Sequence, residues 1–226
     1  MEAETVRGHG KLYLAVPTTS CFEISFPSGF LEHQQMHQRS SSKSFPAFLG
    51  DEMKRPAIFF DRDGVLNEDH GYVFEISQLK WIEGAREAVK VANGAGYFVF
   101  VITNQSGVAR GLYEETHVEA LHKWMENDLA KIGAHIDAFE YCPYHPEAAI
   151  ERYRRVSPRR KPAPGMIQDL VERFPVDVSR SILIGDKPTD LEAAQAAGIK
   201  GYLFPGHNLA QFLKSILALN RDLHSL

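Results

Sequence analysis

Apolar residues in this chain gather into short runs, each shut off by polar or small residues. Ala57 to Phe60 runs into Asp61-Arg62-Asp63-Gly64, Tyr97 to Ile102 into Thr103-Asn104-Gln105-Ser106-Gly107, and Ile136 to Tyr141 into Cys142-Pro143. Ser181 to Gly185 leads into Asp186-Lys187-Pro188-Thr189-Asp190, and Lys200 to Phe204 makes a last run. Runs of this length, rich in β-branched and aromatic residues and bounded by turn signals, predict buried strands. Between them the period lengthens. Ala85, Ala88, Val89 and Ala92 lie at helical steps in Gly84–Asn93, as do Val118, Leu121, Met125, Leu129 and Ile132 in Glu114–Gly133. Met166, Leu170, Val171 and Phe174 follow Pro164, another helix starts at Leu191 and stops at Gly198, and Leu209 to Leu219 is amphipathic. These stripes predict helices whose apolar faces pack on a core.

Strands that alternate with helices predict an α/β protein: a three-layer, Rossmann-like domain with a mostly parallel sheet. Asn93-Gly94-Ala95-Gly96 closes a helix where a dinucleotide loop would open one, so it reads as a helix stop. No inter-strand segment is long enough for a large cap domain. Val65 to Leu79 has no clean period and predicts a small flap, with Asp69-His70-Gly71-Tyr72 at its middle.

Residues 1–55 differ from the rest. Ser40-Ser41-Ser42, Gln34-Gln35, several histidines and scattered prolines break any sustained period, so a poorly ordered extension is expected, with one short strand in Lys11–Val16. The segment lacks the pattern of a secretory signal. Met36 and Met53 are candidate natural starts ahead of a catalytic domain spanning 56–226.

Composition narrows the class. The chain has 226 residues, 44% hydrophobic and 24% charged, with a net charge of -4. That is ordinary for one globular domain, and it supplies no broad positive field for nucleic acid or anionic membrane. No apolar run approaches the roughly 18 residues of a membrane span. The two cysteines, Cys21 and Cys142, do not make a disulfide framework and fit a reducing compartment. A cytoplasmic monomer is the expectation.

Candidate chemistry sits where the first run ends. Asp61 and Asp63, two residues apart, share a face of an extended segment, and like charges that close raise one pKa unless a cation intervenes. Hard oxygen donors favour Mg2+, which keeps positions open for water and substrate phosphate.

Strand followed by D-R-D-G resembles the first signature of the haloacid dehalogenase (HAD) superfamily of phosphohydrolases. Together with T-N-Q-S-G-V-A-R-G, C-P-Y-H-P, R-K-P-A-P-G-M and G-D-K-P-T-D, it is similar to the superfamily's D-glycero-D-manno-heptose 1,7-bisphosphate 7-phosphatases, relatives of histidinol-phosphate phosphatases. The likeness covers about residues 56–205 and implies a HAD fold. It implies Asp61 as nucleophile and Asp63 as general acid and base. Mg2+ would be held by Asp61, the backbone carbonyl of Asp63, and Asp186. Thr103 would donate to the phosphoryl group, with Asn104, Gln105 and Ser106 beside it. Lys161 would bridge nucleophile and phosphoryl oxygens, and Arg160 and Lys187 would take substrate. Asp69, His70, Gly71 and Tyr72 would meet substrate from the flap. Asp190 stays open between this site and a simple helix cap.

The third stretch departs from that likeness. Relatives of this kind hold structural zinc through C-P-H-H-P and a C-x-C before R-K-P, whereas Tyr144, Ser157 and Arg159 occupy three of those positions here, leaving Cys142 with His145 adjacent. A closed zinc site needs four N or S ligands, so zinc is expected to be absent and the loop to be held by packing, Pro143, Pro146 and Pro158. Arg152, Arg154, Arg155 and Arg159 read as a solvated basic face. The expected activity is Mg-dependent hydrolysis of the 7-phosphate of a heptose bisphosphate. The alternatives are another small phosphomonoester such as histidinol phosphate, or a non-catalytic binding protein on the same fold.

Overall fold

A computed structural model describes residues 54–223 and two short strands upstream, β1 (Val6–Gly8) and β2 (Lys11–Tyr13). β1 and β2 pair antiparallel, Val6 facing Tyr13, in a unit of their own. The expected disorder of residues 1–55 otherwise lies outside the described residues.

The main unit is built on β3 (Ala57–Phe60), β4 (Phe98–Asn104), β5 (Ala138–Cys142), β6 (Ile182–Gly185) and β7 (Lys200–Leu203). These five are all parallel, in the order β5-β4-β3-β6-β7. The helices are α1 (Ala85–Gly94), α2 (Ser106–Arg110), α3 (Glu115–Ala130), α4 (Gly165–Arg173), α5 (Pro188–Ala196) and α6 (Leu209–Leu223). Every strand and long helix expected from the pattern is present within a few residues. The short α2 is an addition to the expected elements: Ser106-Gly107 opens a brief helix that ends at Gly111 (φ 75°).

Alternation along β3 explains the three layers. Ile58 and Phe60 face one apolar cluster, with Val99, Val101 and buried residues of α1, α3 and α6. Ala57 and Phe59 face the other, with Phe100, Ile102, Leu183 and residues of α4 and α5. A central parallel strand buried on both faces has no polar side to show, hence the unbroken A-I-F-F. Ile58, Phe59 and Phe60 each contribute roughly 1.5–3 kcal/mol on burial.

Topology places the site. The chain moves from β3 outward to β5, then returns to the far side of β3 with β6, and ligands of open α/β sheets bind at such a reversal, beyond the carboxyl ends of the strands. Asp61 follows β3, and Asp186 follows β6. The flap rises beside them, rooted by buried Val65, Leu66, Val73 and Leu79. No described helix is long and apolar enough to cross a membrane.

Candidate active site

Asp61 leaves β3 almost fully buried, its Oδ1 2.8 Å from Lys161 Nζ and accepting the Arg62 amide at 2.8 Å. Lys161 Nζ also meets Asp190 Oδ1 at 2.6 Å and donates to the Ile102 carbonyl at 3.1 Å. Asn104, at the end of β4, clamps the Lys161 backbone from both sides: Nδ2 donates to its carbonyl at 3.0 Å and Oδ1 accepts its amide at 3.1 Å. Burial raises the Asp61 pKa to about 7, the Lys161 charge opposing and Asp190 and Asp63 adding to it. Burial works against the charge on Lys161, but Asp61 and Asp190 outweigh it and hold the ammonium above its ordinary range.

Asp190 resolves its two readings by doing both. As the third residue of α5 it accepts the Lys187 amide on Oδ2 at 3.0 Å, while its other oxygen takes Lys161.

Oxygens of Asp61, Asp186 and Asp190 lie within 4.8 Å of one another. Asp190 is already engaged on both oxygens, but Asp186 Oδ1 is buried with no hydrogen-bond partner, and burial raises the Asp186 pKa. An orphaned carboxylate oxygen beside a second carboxylate of raised pKa is a donor set suited to a cation. All donors are hard oxygens, so the set fits Mg2+. The loop makes room for it: Gly64 has φ +91°, and a Cβ there would stand 2.3 Å from Asp186 Oδ2.

Asp63 lines the same cavity as Asp61 but is not one of the three acids whose oxygens gather. The chain bends at Arg62, and the Asp63 side chain is captured elsewhere. Arg62 grips it with Nε and Nη2 at 2.9–3.1 Å, Asn67 Nδ2 donates at 3.0 Å and Gln105 Nε2 at 2.9 Å. The cation beside Asp63 is thus a guanidinium. Arg62 itself is wholly buried, and it also donates to the Val73 carbonyl at 2.7 Å and meets His122 Nε2 at 3.4 Å. Burial, with Arg62 adding, pushes the His122 pKa far down, so the ring is neutral and stacks on Phe139.

A cavity of about 350 Å3 opens above these groups. Asp61, Asp63, Asp69, Gly71, Tyr72, Thr103, Asn104, Gln105, Ser106, Lys161 and Lys187 line it, joined by Tyr113, Thr189 and Asp190. Lys187 reaches across to the flap, 3.2 Å from Asp69 Oδ2 and 3.6 Å from Asp186 Oδ2. Burial opposes ionisation of Asp69, but the Gly71 amide and Lys187 prevail and hold its pKa low. His70 points elsewhere and pairs with Glu68 at 3.0 Å, and Arg160 stands outside the lining, donating to the Tyr144 carbonyl at 3.3 Å.

Residues at the expected zinc positions are occupied with one another's neighbours. Tyr144 lies under Arg155, 3.5 Å from guanidinium carbon to ring centre, and Ser157 Oγ accepts the Arg159 amide at 3.2 Å. Arg159 is not part of a solvated face. It is half-buried and paired with Glu140 and Asp169, because acids on β5 and α4 stand within its reach; Arg152, Arg154 and Arg155 are exposed.

Arg62 and Tyr113 escape a reading by motif. Arg62 stands between two acids in D-R-D-G, and nothing local in that motif marks it as a wholly buried side chain. For Tyr113 the signal was Gly107, where a Cβ would stand 2.1 Å from the Tyr113 ring.

Comparison with known proteins agrees with this geometry. The HAD-hydrolase-like family signature matches residues 158–206. The chain is 49% identical over 164 residues, 73% of its own length and 91% of the relative, to D-glycero-beta-D-manno-heptose-1,7-bisphosphate 7-phosphatase of Rhodopseudomonas palustris. It is 45% identical to the D-glycero-alpha-D-manno-heptose-1,7-bisphosphate 7-phosphatase of Burkholderia mallei, covering 65% of this chain and 78% of that one. The crystal structure of D,D-heptose 1,7-bisphosphate phosphatase from B. bronchiseptica, complexed with magnesium and phosphate, aligns at TM-score 0.63 and 30% identity, over 73% of this chain and 99% of that one. The chain belongs to the HAD-like phosphatases, in the family that holds these heptose-bisphosphate enzymes.

Proposed function

We propose that this phosphatase removes the 7-phosphate of a D-glycero-D-manno-heptose 1,7-bisphosphate through an aspartyl-phosphate on Asp61. The observation that carries the reading is the pairing of a buried carboxylate held by Lys161 with the partnerless oxygen of Asp186 beside it. The names of the relatives support the substrate.

Asp61 Oδ1 is held by two donors, so Asp61 presents its other oxygen for in-line attack on phosphorus. The phosphorus–sugar oxygen bond breaks as Asp63 gives its proton to the departing oxygen. Asp63 then takes a proton from water, which attacks phosphorus and releases Asp61 and phosphate. Thr103 and Lys161 offset charge on the phosphoryl oxygens. Mg2+ on Asp61, Asp186 and the Asp63 carbonyl supplies Lewis-acid stabilisation of those oxygens when bound. Lys187 and Arg160 serve the remaining phosphate; Arg160 carries no acidic partner in its described contacts and has a pKa lowered by burial and by Arg110.

The same reading has no zinc in the 142–161 loop, supported by the ring and ion-pair contacts of Tyr144, Ser157 and Arg159. One panel tests the function: Mg-dependent phosphate release from heptose bisphosphate of each anomer, histidinol phosphate and fructose bisphosphate, with Asp61→Asn as control. Highest kcat/KM on a heptose bisphosphate and none in the variant is the expected result; full activity in Asp61→Asn would refute the nucleophile.

A further inference from the structure

Gln105 makes three hydrogen bonds in the site, and only one orientation of its amide satisfies them. Nε2 donates to Asp63 Oδ2 at 2.9 Å and to Thr103 Oγ1 at 2.8 Å, while Oε1 accepts the Tyr113 hydroxyl at 2.7 Å. Gln105 is buried and its neighbours leave little slack. The Tyr113 ring lies across Gly107, where no larger residue fits, and stacks on Phe74 of the flap root at 4.9 Å.

Each bond fixes the polarity of the next. The amide nitrogen faces Asp63 Oδ2 and Thr103 Oγ1, so the carbonyl faces Tyr113, whose hydroxyl must donate. Thr103 Oγ1 receives the second amide hydrogen, which commits a lone pair and sends the Thr103 hydrogen away from Gln105. Thr103 lines the cavity. A hydroxyl whose acceptor side is already taken is a preset donor, as an electrostatic stabiliser of a phosphoryl oxygen must be.

We infer that Gln105 and Tyr113 are positioning residues for phosphoryl transfer. Tyr113 sets the amide, and the amide both aims the Asp63 carboxyl at the leaving oxygen and turns the Thr103 hydroxyl into a donor. Neither residue needs to touch substrate. The inference rests on the Asp61/Asp63 mechanism proposed above and assigns a task to two residues beyond it.

The two arms of the relay are separable by leaving group. Protonation by Asp63 matters for a sugar alkoxide and hardly at all for p-nitrophenolate, whereas the Thr103 donor serves both. Gln105→Leu is expected to lower kcat on heptose bisphosphate by roughly 10²-fold, with KM little changed, and to cost p-nitrophenyl phosphate hydrolysis only about tenfold. Tyr113→Phe keeps the ring over Gly107 and is expected to show the same unequal pattern at about tenfold on the sugar phosphate. Circular dichroism and thermal melts check folding, and should Gln105→Leu not fold, Tyr113→Phe decides alone. Equal losses on both esters, or wild-type kcat on the sugar phosphate in Tyr113→Phe, would overturn the relay while leaving the phosphatase reading intact. A wild-type protein inactive on both esters would instead remove the mechanism and the relay with it.

Discussion

Gly64 and Asp186 lie on loops leaving neighbouring strands, and the bare Cα of Gly64 faces the Asp186 carboxylate so closely that a methyl group would stand 2.3 Å from Oδ2. Residue 64 also sits at φ +91°, a conformation that costs an L-residue roughly 1–2 kcal/mol. Gly64→Ala therefore strains the turn and displaces Asp186 together. We expect a folded protein whose half-saturating Mg2+ concentration rises at least tenfold, read by titrating the metal against phosphate release.

At the proposed metal site, metal and proton compete for Asp61. Without metal its pKa is raised by burial to about 7, against 3.8 for the ordinary carboxyl. Between these values the folded protein keeps a proton that the unfolded chain has shed, so stability of the metal-free protein falls as pH rises from about 4 to about 7. Mg2+ should flatten that decline, and its affinity should increase with pH up to about 7. Calorimetric titration in buffers of different ionisation enthalpy checks this through the proton released on binding.

His122 gives the opposite slope. Its pKa is held far below 6.5 by burial and by Arg62, so the folded state stays neutral where the unfolded chain takes up a proton. Its contribution to stability is present above pH ~6.5 and is lost as pH falls below that value. His122→Gln should remove this part of the acid-side decline, seen as a shallower dependence of melting temperature on pH below about 6.5 than in the wild type.

Arg159 joins β5 to α4 through Glu140 and Asp169, and Glu140 is shared with Arg173. Arg159→Ala should destabilise the protein by about 1–2 kcal/mol, between the values for exposed and buried pairs. Limited proteolysis should speed up within residues 142–161. Chelator should leave the wild-type loop unchanged; a melting temperature that drops on zinc chelation would count against the metal-free reading.

Much of this was legible because strand ends announce themselves. Asp61, Thr103 and Asp186 each follow an apolar run, and parallel strands bring such positions to one edge of a sheet. Lys161 was accessible only through a resemblance, since nothing local in R-K-P says that the lysine enters the core. Arg62 and Asp190 were harder for a physical reason: Arg62 meets His122 60 residues on and Asp190 takes Lys161 from another part of the chain, and such approaches of buried charges are decided by tertiary packing. Asp63 lines the cavity with Asp61 as its spacing suggests, but its capture by Arg62, Asn67 and Gln105 was not legible, because it depends on how the loop folds past the end of the strand.

The proposed nucleophile, the carbonyl that seats its lysine, and the carboxylate proposed to hold the cation hang from three adjacent strands of one sheet. They are consequently spaced by main-chain hydrogen bonding and cannot drift apart without tearing it. Flap and arginine-stitched loop meet instead through side chains, Phe74 packing on the cluster that holds Ala148 and Tyr153, so substrate preference can be rewritten at the rim, residue by residue, while the reaction centre keeps its dimensions.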